Sequence, residues 1–200
     1  MIKSGHCRKN IHFNLLNILF HCQAFVNVNI GDEGEQEIRD ALTILSNCSY
    51  FLLDNCGISN EVMAQLRDDY PDTKVVWRVF WAFYHDLTDM EMIHCTCKLT
   101  DENVEVLKYC NDVKYLDIGH NSDLSNIDFV KYMPKLEIAI VVDSKIESLE
   151  PFASCPNLQW LEIVNCWKVE DLSPLANCKN LEYLEMQTTL CTDLSPLANL

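Results

Sequence analysis

Two hundred residues, 48% hydrophobic and 22% charged, suffice for one or two real cores and are too apolar for an intrinsically disordered chain. Thirty acidic residues against fifteen basic give a formal charge of -15, which repels phosphate backbones and argues against nucleic acid as a partner. No stretch reaches the ~18 to 20 uninterrupted apolar residues of a membrane helix, so no membrane-spanning segment is expected.

The first residues imitate a secretion signal, with Lys3, Arg8 and Lys9 ahead of Leu15 to Phe20. Asn14, Asn17 and His21 interrupt that run and no small-x-small cleavage site follows, so residues 1–24 read as a poorly defined segment without a clear signal peptide. Phe25 to Ile30 alternates like a strand. Glu35 to Ser46 has Ile38, Leu42 and Leu45 on one face and acidic residues at its start, where a helix dipole favours them. Leu45, Cys48, Phe51, Leu53, Cys56 and Ile58 then form an apolar line with a small residue, Cys56, at its turn. Asn60 is placed to cap a helix that presents Met63, Leu66 and Tyr70 and stops at Pro71. Lys74 to Phe80 reads as a strand. Trp81 to Lys98 shows no period and is expected to be irregular, with a strand near Met92 to Cys95.

From Val113 onward the chain repeats itself. Lines begin at Val113, Leu136, Leu158 and Leu181, spaced 136 - 113 = 23, 158 - 136 = 22 and 181 - 158 = 23 residues. Apolar residues recur at positions one, four and six, as Val113, Leu116, Ile118 and again as Leu158, Leu161, Ile163, the L-x-x-L-x-L strand signature. Position nine carries Asn121, Ser144, Cys166 and Thr189, small hydrogen-bonding residues that suit a turn with buried backbone groups. Asp-Leu-Ser-Pro-Leu-Ala-Asn occurs at 171–177 and 193–199, its proline suited to the first turn of a short helix. Over Leu99 to Leu200 these lines closely resemble the 22-residue leucine-rich repeats of internalin-like bacterial proteins. That resemblance implies an α/β leucine-rich-repeat solenoid with a curved parallel sheet on its concave face and 3-10-like turns on its convex side. Residues 25–98 look like the α/β N-terminal capping unit of large repeat proteins in anaerobic Gram-positive bacteria. Residues 99–200 are the repeats, expected to be a fragment because Leu200 falls partway through a repeat with no polar cap.

Eleven cysteines form no dense disulfide framework, and Cys95-x-Cys97 lacks the spacing of a zinc site, so no metal and no cofactor are expected. Cys48, Cys56, Cys110, Cys155, Cys166, Cys178 and Cys191 occupy repeat positions that want a small apolar residue. His94 beside Cys95 or Cys97 could be imagined as base and nucleophile, but neighbours in a strand face opposite ways and no orienting group is identifiable. The expectation is a non-enzyme.

In a leucine-rich repeat, positions three, five, seven and eight face solvent from the sheet. Position three holds Tyr115, Ile138, Trp160 and Tyr183, with Tyr50 in the early unit. Position five holds Asp117, Ile140, Glu162 and Glu185. These columns predict an aromatic stripe beside an acidic one, a surface for a protein or peptide, basic by preference, with a glycan as alternative. His120, Asp143, Asn165 and Thr188 at position eight are secondary candidates. The rival reading is an architectural or regulatory spacer of a longer exported protein. A cell-surface or secreted location is implied by the resemblance, whereas a core rich in reduced cysteine points to a cytoplasmic scaffold or an anaerobic habitat.

Overall fold

The structure, a computed structural model, describes residues 14–18, 21–198 and 200; most of the segment that imitates a secretion signal lies outside them. Two compact units divide at Arg78 and Val79.

In the first unit β1 (Asn14–Ile18) pairs antiparallel with β2 (His21–Val26), which lies parallel to β3 (Cys48–Leu53), itself parallel to the start of β4 (Lys74–Trp81). Parallel neighbours need crossovers, and α1 (Glu35–Ile44) and α2 (Asn60–Asp69) supply them. The strand expected at Phe25 to Ile30 ends at Val26, because the chain then turns: the Ile30 and Gly31 N–H groups both donate to the Cys56 carbonyl, and Gly31 adopts φ 66°. α1 buries Ile38, Ala41 and Leu42, with Leu45 half-buried just beyond it, and α2 buries Met63 and Leu66. The cap of α2 is Ser59, not Asn60. Asn60 is drawn away by the Trp77 indole, whose Nε1–H donates to its Oδ1 at 2.9 Å, while the Ser59 N–H donates to Asp32 Oδ1 at 2.7 Å. Arg39 of α1 reaches Glu35 and Asp69, each at 2.7 Å, and so ties the two helices together.

In the second unit, β5 (Tyr84–Leu87) follows the end of β4 within the stretch expected to be irregular. Its turn escapes sequence reading because the left-handed residue there is Ala82, φ 47°, rather than glycine or asparagine. Trp81 stacks on Tyr84 across that turn with ring centroids 4.7 Å apart and donates its Nε1–H to Asp86 Oδ2. Next come β6 (Met92–His94), β7 (Tyr115–Asp117), β8 (Ile138–Ile140), β9 (Trp160–Glu162) and β10 (Tyr183–Glu185), parallel and adjacent in chain order. The sheet therefore starts one line before Leu99. Met90, Ile93 and Cys95 occupy positions one, four and six of that line, 113 - 90 = 23 residues ahead of Val113.

Five 3-10 turns, Glu105–Tyr109, Asp128–Tyr132, Glu150–Ser154, Ser173–Asn177 and Ser195–Leu197, return the chain on the opposite side, the last three with proline at their start. This is the leucine-rich-repeat solenoid that the spacing implies. Its core lies between strands and turns, where Leu116, Leu161, Leu149, Phe152, Leu172 and Leu175 are 1% exposed or less. The equivalent Leu194 of the last repeat is exposed.

The ninth-position ladder is present. The Asn121 amide receives the Leu99 N–H at 2.8 Å and donates to the carbonyls of Cys95, Ile118 and Gly119 at 2.8 to 3.0 Å. Ser144 donates to Val141 O, the Cys166 thiol to the same carbonyl, and Thr189 to Met186 O. In the first unit the Cys56 thiol donates to Val26 O at 3.2 Å in the same manner. Cys56, Cys95, Cys155, Cys166 and Cys178 are buried thiols without a disulfide, and the Cys97 thiol is exposed. Burial pushes Cys155 up to about 12 and Cys178 up to about 11, so both stay protonated and behave as small apolar groups.

Candidate recognition face

Three-residue strands in unbroken parallel register decide which side chains share a column. Tyr115, Ile138, Trp160 and Tyr183 are direct partners across β7 to β10, and Asp117, Ile140, Glu162 and Glu185 are partners two residues on. The middle residue of β7, β8 and β9, Leu116, Ala139 or Leu161, is wholly buried and Leu184 of β10 is half-buried, so the flanking pairs face away from the core. Both columns thus lie on one solvent-facing side, as the repeat spacing requires. The stripe is not continuous, for Ile138 separates Tyr115 from the Trp160–Tyr183 pair.

That pair is the best-defined feature of the face. The rings stack with centroids 3.6 Å apart and 13° between planes, and both remain more than a third exposed. Each is tied to the carboxylate two residues ahead: Trp160 Nε1–H donates to Glu162 Oε1 at 2.7 Å, and the Tyr183 hydroxyl donates to Glu185 Oε2 at 3.0 Å. These bonds pin two flexible glutamates and leave one oxygen of each unengaged by any other described side chain. The bond to Glu185 holds the Tyr183 phenol above its ordinary pKa, reinforced by the charges of Glu185 and Glu162. Tyr115 is raised by burial first, then by Asp117 and Glu162. Both phenols therefore remain neutral donors at physiological pH.

Two further residues belong to the columns that the repeat spacing lists from Val113 onward. Met92 and His94 of β6 extend the columns by pairing with Tyr115 and Asp117. Met92 is exposed, and His94 Nδ1 lies 2.9 Å from Asp117 Oδ2, whose other oxygen accepts the Gly119 N–H. The signal was available in Met90, Ile93 and Cys95, but methionine and cysteine disguised the leucine pattern. His94 is exposed whereas Cys95 is buried, so the two do not meet as base and nucleophile.

The position-eight residues have a backbone role. His120, Asp143, Asn165 and Thr188 all adopt left-handed φ, between 53° and 61°, and make the turn out of the strand. Aspartate, asparagine and histidine tolerate this region better than other side chains with a Cβ. Asp143 Oδ2 lies 2.5 Å from His120 Nδ1 and its Oδ1 accepts from Asn165 Nδ2 at 2.6 Å, a chain along three successive turns. The Asn165 bond, with help from His120, holds the Asp143 carboxyl below its usual range. Tyr50 lies in β3 of the first unit and is half-buried.

Among the described residues no group of three or more histidine, cysteine or acidic side chains is arranged to hold a metal ion. No helix among them is long and apolar enough to cross a membrane. Residues 156–199 match the family model described as Leucine Rich repeats (2 copies). No curated protein matches the chain. Among solved structures, an internalin C2 of Listeria monocytogenes is 23% identical with a TM-score of 0.40, over 74% of this chain and 55% of that one. An internalin F of the same organism is 18% identical with a TM-score of 0.36, over 86% and 55% respectively. The match thus spans about half the length, 55%, of each of those proteins.

Proposed function

We propose that this leucine-rich-repeat protein recognises a protein or peptide through the sheet face of its repeats, the concave side of such a solenoid, by rigidity and repetition rather than by chemistry. Leucine-rich repeats serve in general as protein-interaction scaffolds. The observation that carries the reading is the exposed Trp160–Tyr183 stack with its two tethered carboxylates. Aromatic side chains supply large contact area with a polar handle and dominate interface energetics, and fixing them in advance lowers the entropy lost on binding. A partner bearing positive charge fits the acidic column best. Around the pair, Met92, Tyr115 and Ile138 widen the apolar part of the surface, and His94 and Asp117 the polar part.

Site-specific photo-crosslinking tests this. With p-benzoylphenylalanine in place of Ile138, a partner in host or bacterial extract crosslinks, whereas the same group in place of Tyr132, exposed on a 3-10 turn, captures none. Equal capture from both positions, or capture from Tyr132 alone, counts against the face.

A further inference from the structure

Several acidic side chains elsewhere on the second unit pair with a lysine: Glu91 with Lys114, Asp112 with Lys135, Asp128 with Lys131, Glu147 with Lys168. Among the described residues neither Glu162 nor Glu185 has a lysine or arginine partner, and each is held by an aromatic donor two residues back in its own strand. They stand on adjacent parallel strands in direct register, about 4.8 Å apart at the backbone, in a chain of net charge -15. Directly before them β8 contributes Ile138 and Ile140, half-buried apolar residues at columns that across β7, β9 and β10 are aromatic or charged.

From this juxtaposition we infer that Ile138, Ile140, Trp160, Glu162, Tyr183 and Glu185 form a subsite for an arginine side chain of the partner, an assignment that rests on the face being the recognition surface. The aliphatic stem lies on the two isoleucines, as long cationic side chains do over apolar surface. The guanidinium reaches the unengaged oxygens of the two glutamates, which its planar fork bridges with donors in fixed directions, whereas an ammonium meets them as a compact, more strongly hydrated point charge. It also meets the electron-rich ring surface of the stacked pair, where cations are attracted to aromatic faces and a planar group keeps its contact area. Because Nε1 of Trp160 and the hydroxyl of Tyr183 already spend their protons on the glutamates, the subsite offers acceptors and apolar surface and almost no donors. An anionic group is therefore rejected, a carboxamide is disfavoured because its carbonyl finds no donor and it brings no charge, and specificity comes from charge and planarity together.

The test is an NMR titration of the full nitrogen-15-labelled chain with an acetylated, amidated arginine peptide flanked by glycines, and with its lysine and citrulline counterparts. The Trp160 indole N–H is identified by its loss in Trp160→Phe. The arginine peptide shifts that signal saturably. The lysine peptide binds about threefold to tenfold more weakly, and the citrulline peptide, planar but uncharged, at least about tenfold more weakly. Glu162→Gln with Glu185→Gln lowers arginine affinity at least about tenfold while leaving the rest of the spectrum in place. Equal shifts with citrulline and arginine, or a Trp160 signal unmoved by any of the three, overturn the assignment. If Trp160 ignores arginine while a partner still crosslinks from position 138, the guanidinium subsite falls and the face stands. If crosslinking from position 132 replaces that from 138, the face falls as well.

Discussion

The amide of Asn121 shows how one side chain closes several backbone accounts at once. It is 2% exposed and makes four hydrogen bonds to main-chain groups, so Asn121→Ala leaves buried polar groups unsatisfied and costs about 3 kcal/mol, readable as a lower urea midpoint. Thr188 is the opposite case, a β-branched residue at φ 61°. Thr188→Asn should raise stability by about 1 kcal/mol, because asparagine adopts the left-handed region at lower cost. Thiol chemistry follows burial: Cys97 is exposed and alkylates readily in the native protein, while Cys155, Cys166 and Cys178, whose thiols burial pushes up, label only after denaturation. The ladder residues were legible in the sequence because a small hydrogen-bonding side chain at a fixed offset has few other reasons to recur. The position-eight turn was not, since spacing says which residue stands there and nothing of its φ; the run of histidine, aspartate and asparagine was the available clue.

Elements of the repeats are too short to be stable alone, three residues per strand from β6 to β10 and mostly five per 3-10 turn, so packing between successive repeats holds them. Phe152, wholly buried from the Glu150–Ser154 turn, is the largest of the turn side chains with no exposure at all, and Phe152→Ala should cost about 3 to 5 kcal/mol. Pro174 acts through the unfolded chain and, as the second residue of its turn, should cost only about 0.5 to 1 kcal/mol on replacement by alanine. Comparison of the two denaturation curves separates these mechanisms. β7 to β10 and the helices were legible from period alone, because leucine at fixed intervals leaves little choice of face. β5 and the membership of β6 were not. An alanine made the left-handed turn of the first, and methionine with cysteine stood where the second would carry leucine.

At the scale of the whole molecule the sequence implies a solenoid with an α/β unit ahead of it in the chain, with repeats read from Leu99, and the compact units of the structure divide at Arg78 and Val79. The parallel sheet of the second unit takes in one line before Leu99, hidden for the reason just given. Buried thiols also set a limit to alkaline stability. Their unfolded value lies near 9, while Cys155 and Cys178 are held at about 12 and about 11 in the fold. Below pH 9 both states keep the proton; as pH rises above 9 the unfolded chain ionises first, so these groups withdraw stability up to their folded values. The urea midpoint should fall between pH 9 and 11, and fall less steeply in a Cys155→Ala, Cys178→Ala variant.

The central claim concerns a surface, and a surface can be removed without removing the fold. A pull-down from host and bacterial extracts, with the wild-type chain beside a Tyr115→Ala, Trp160→Ala, Tyr183→Ala variant whose circular dichroism and urea midpoint are measured first, compares binding with and without the aromatic columns. The account predicts a protein retained by the wild type and lost from the folded variant. A partner held equally by both, or a variant whose loss of binding merely tracks its loss of stability, would contradict it and leave the stacked pair as a strut of the sheet.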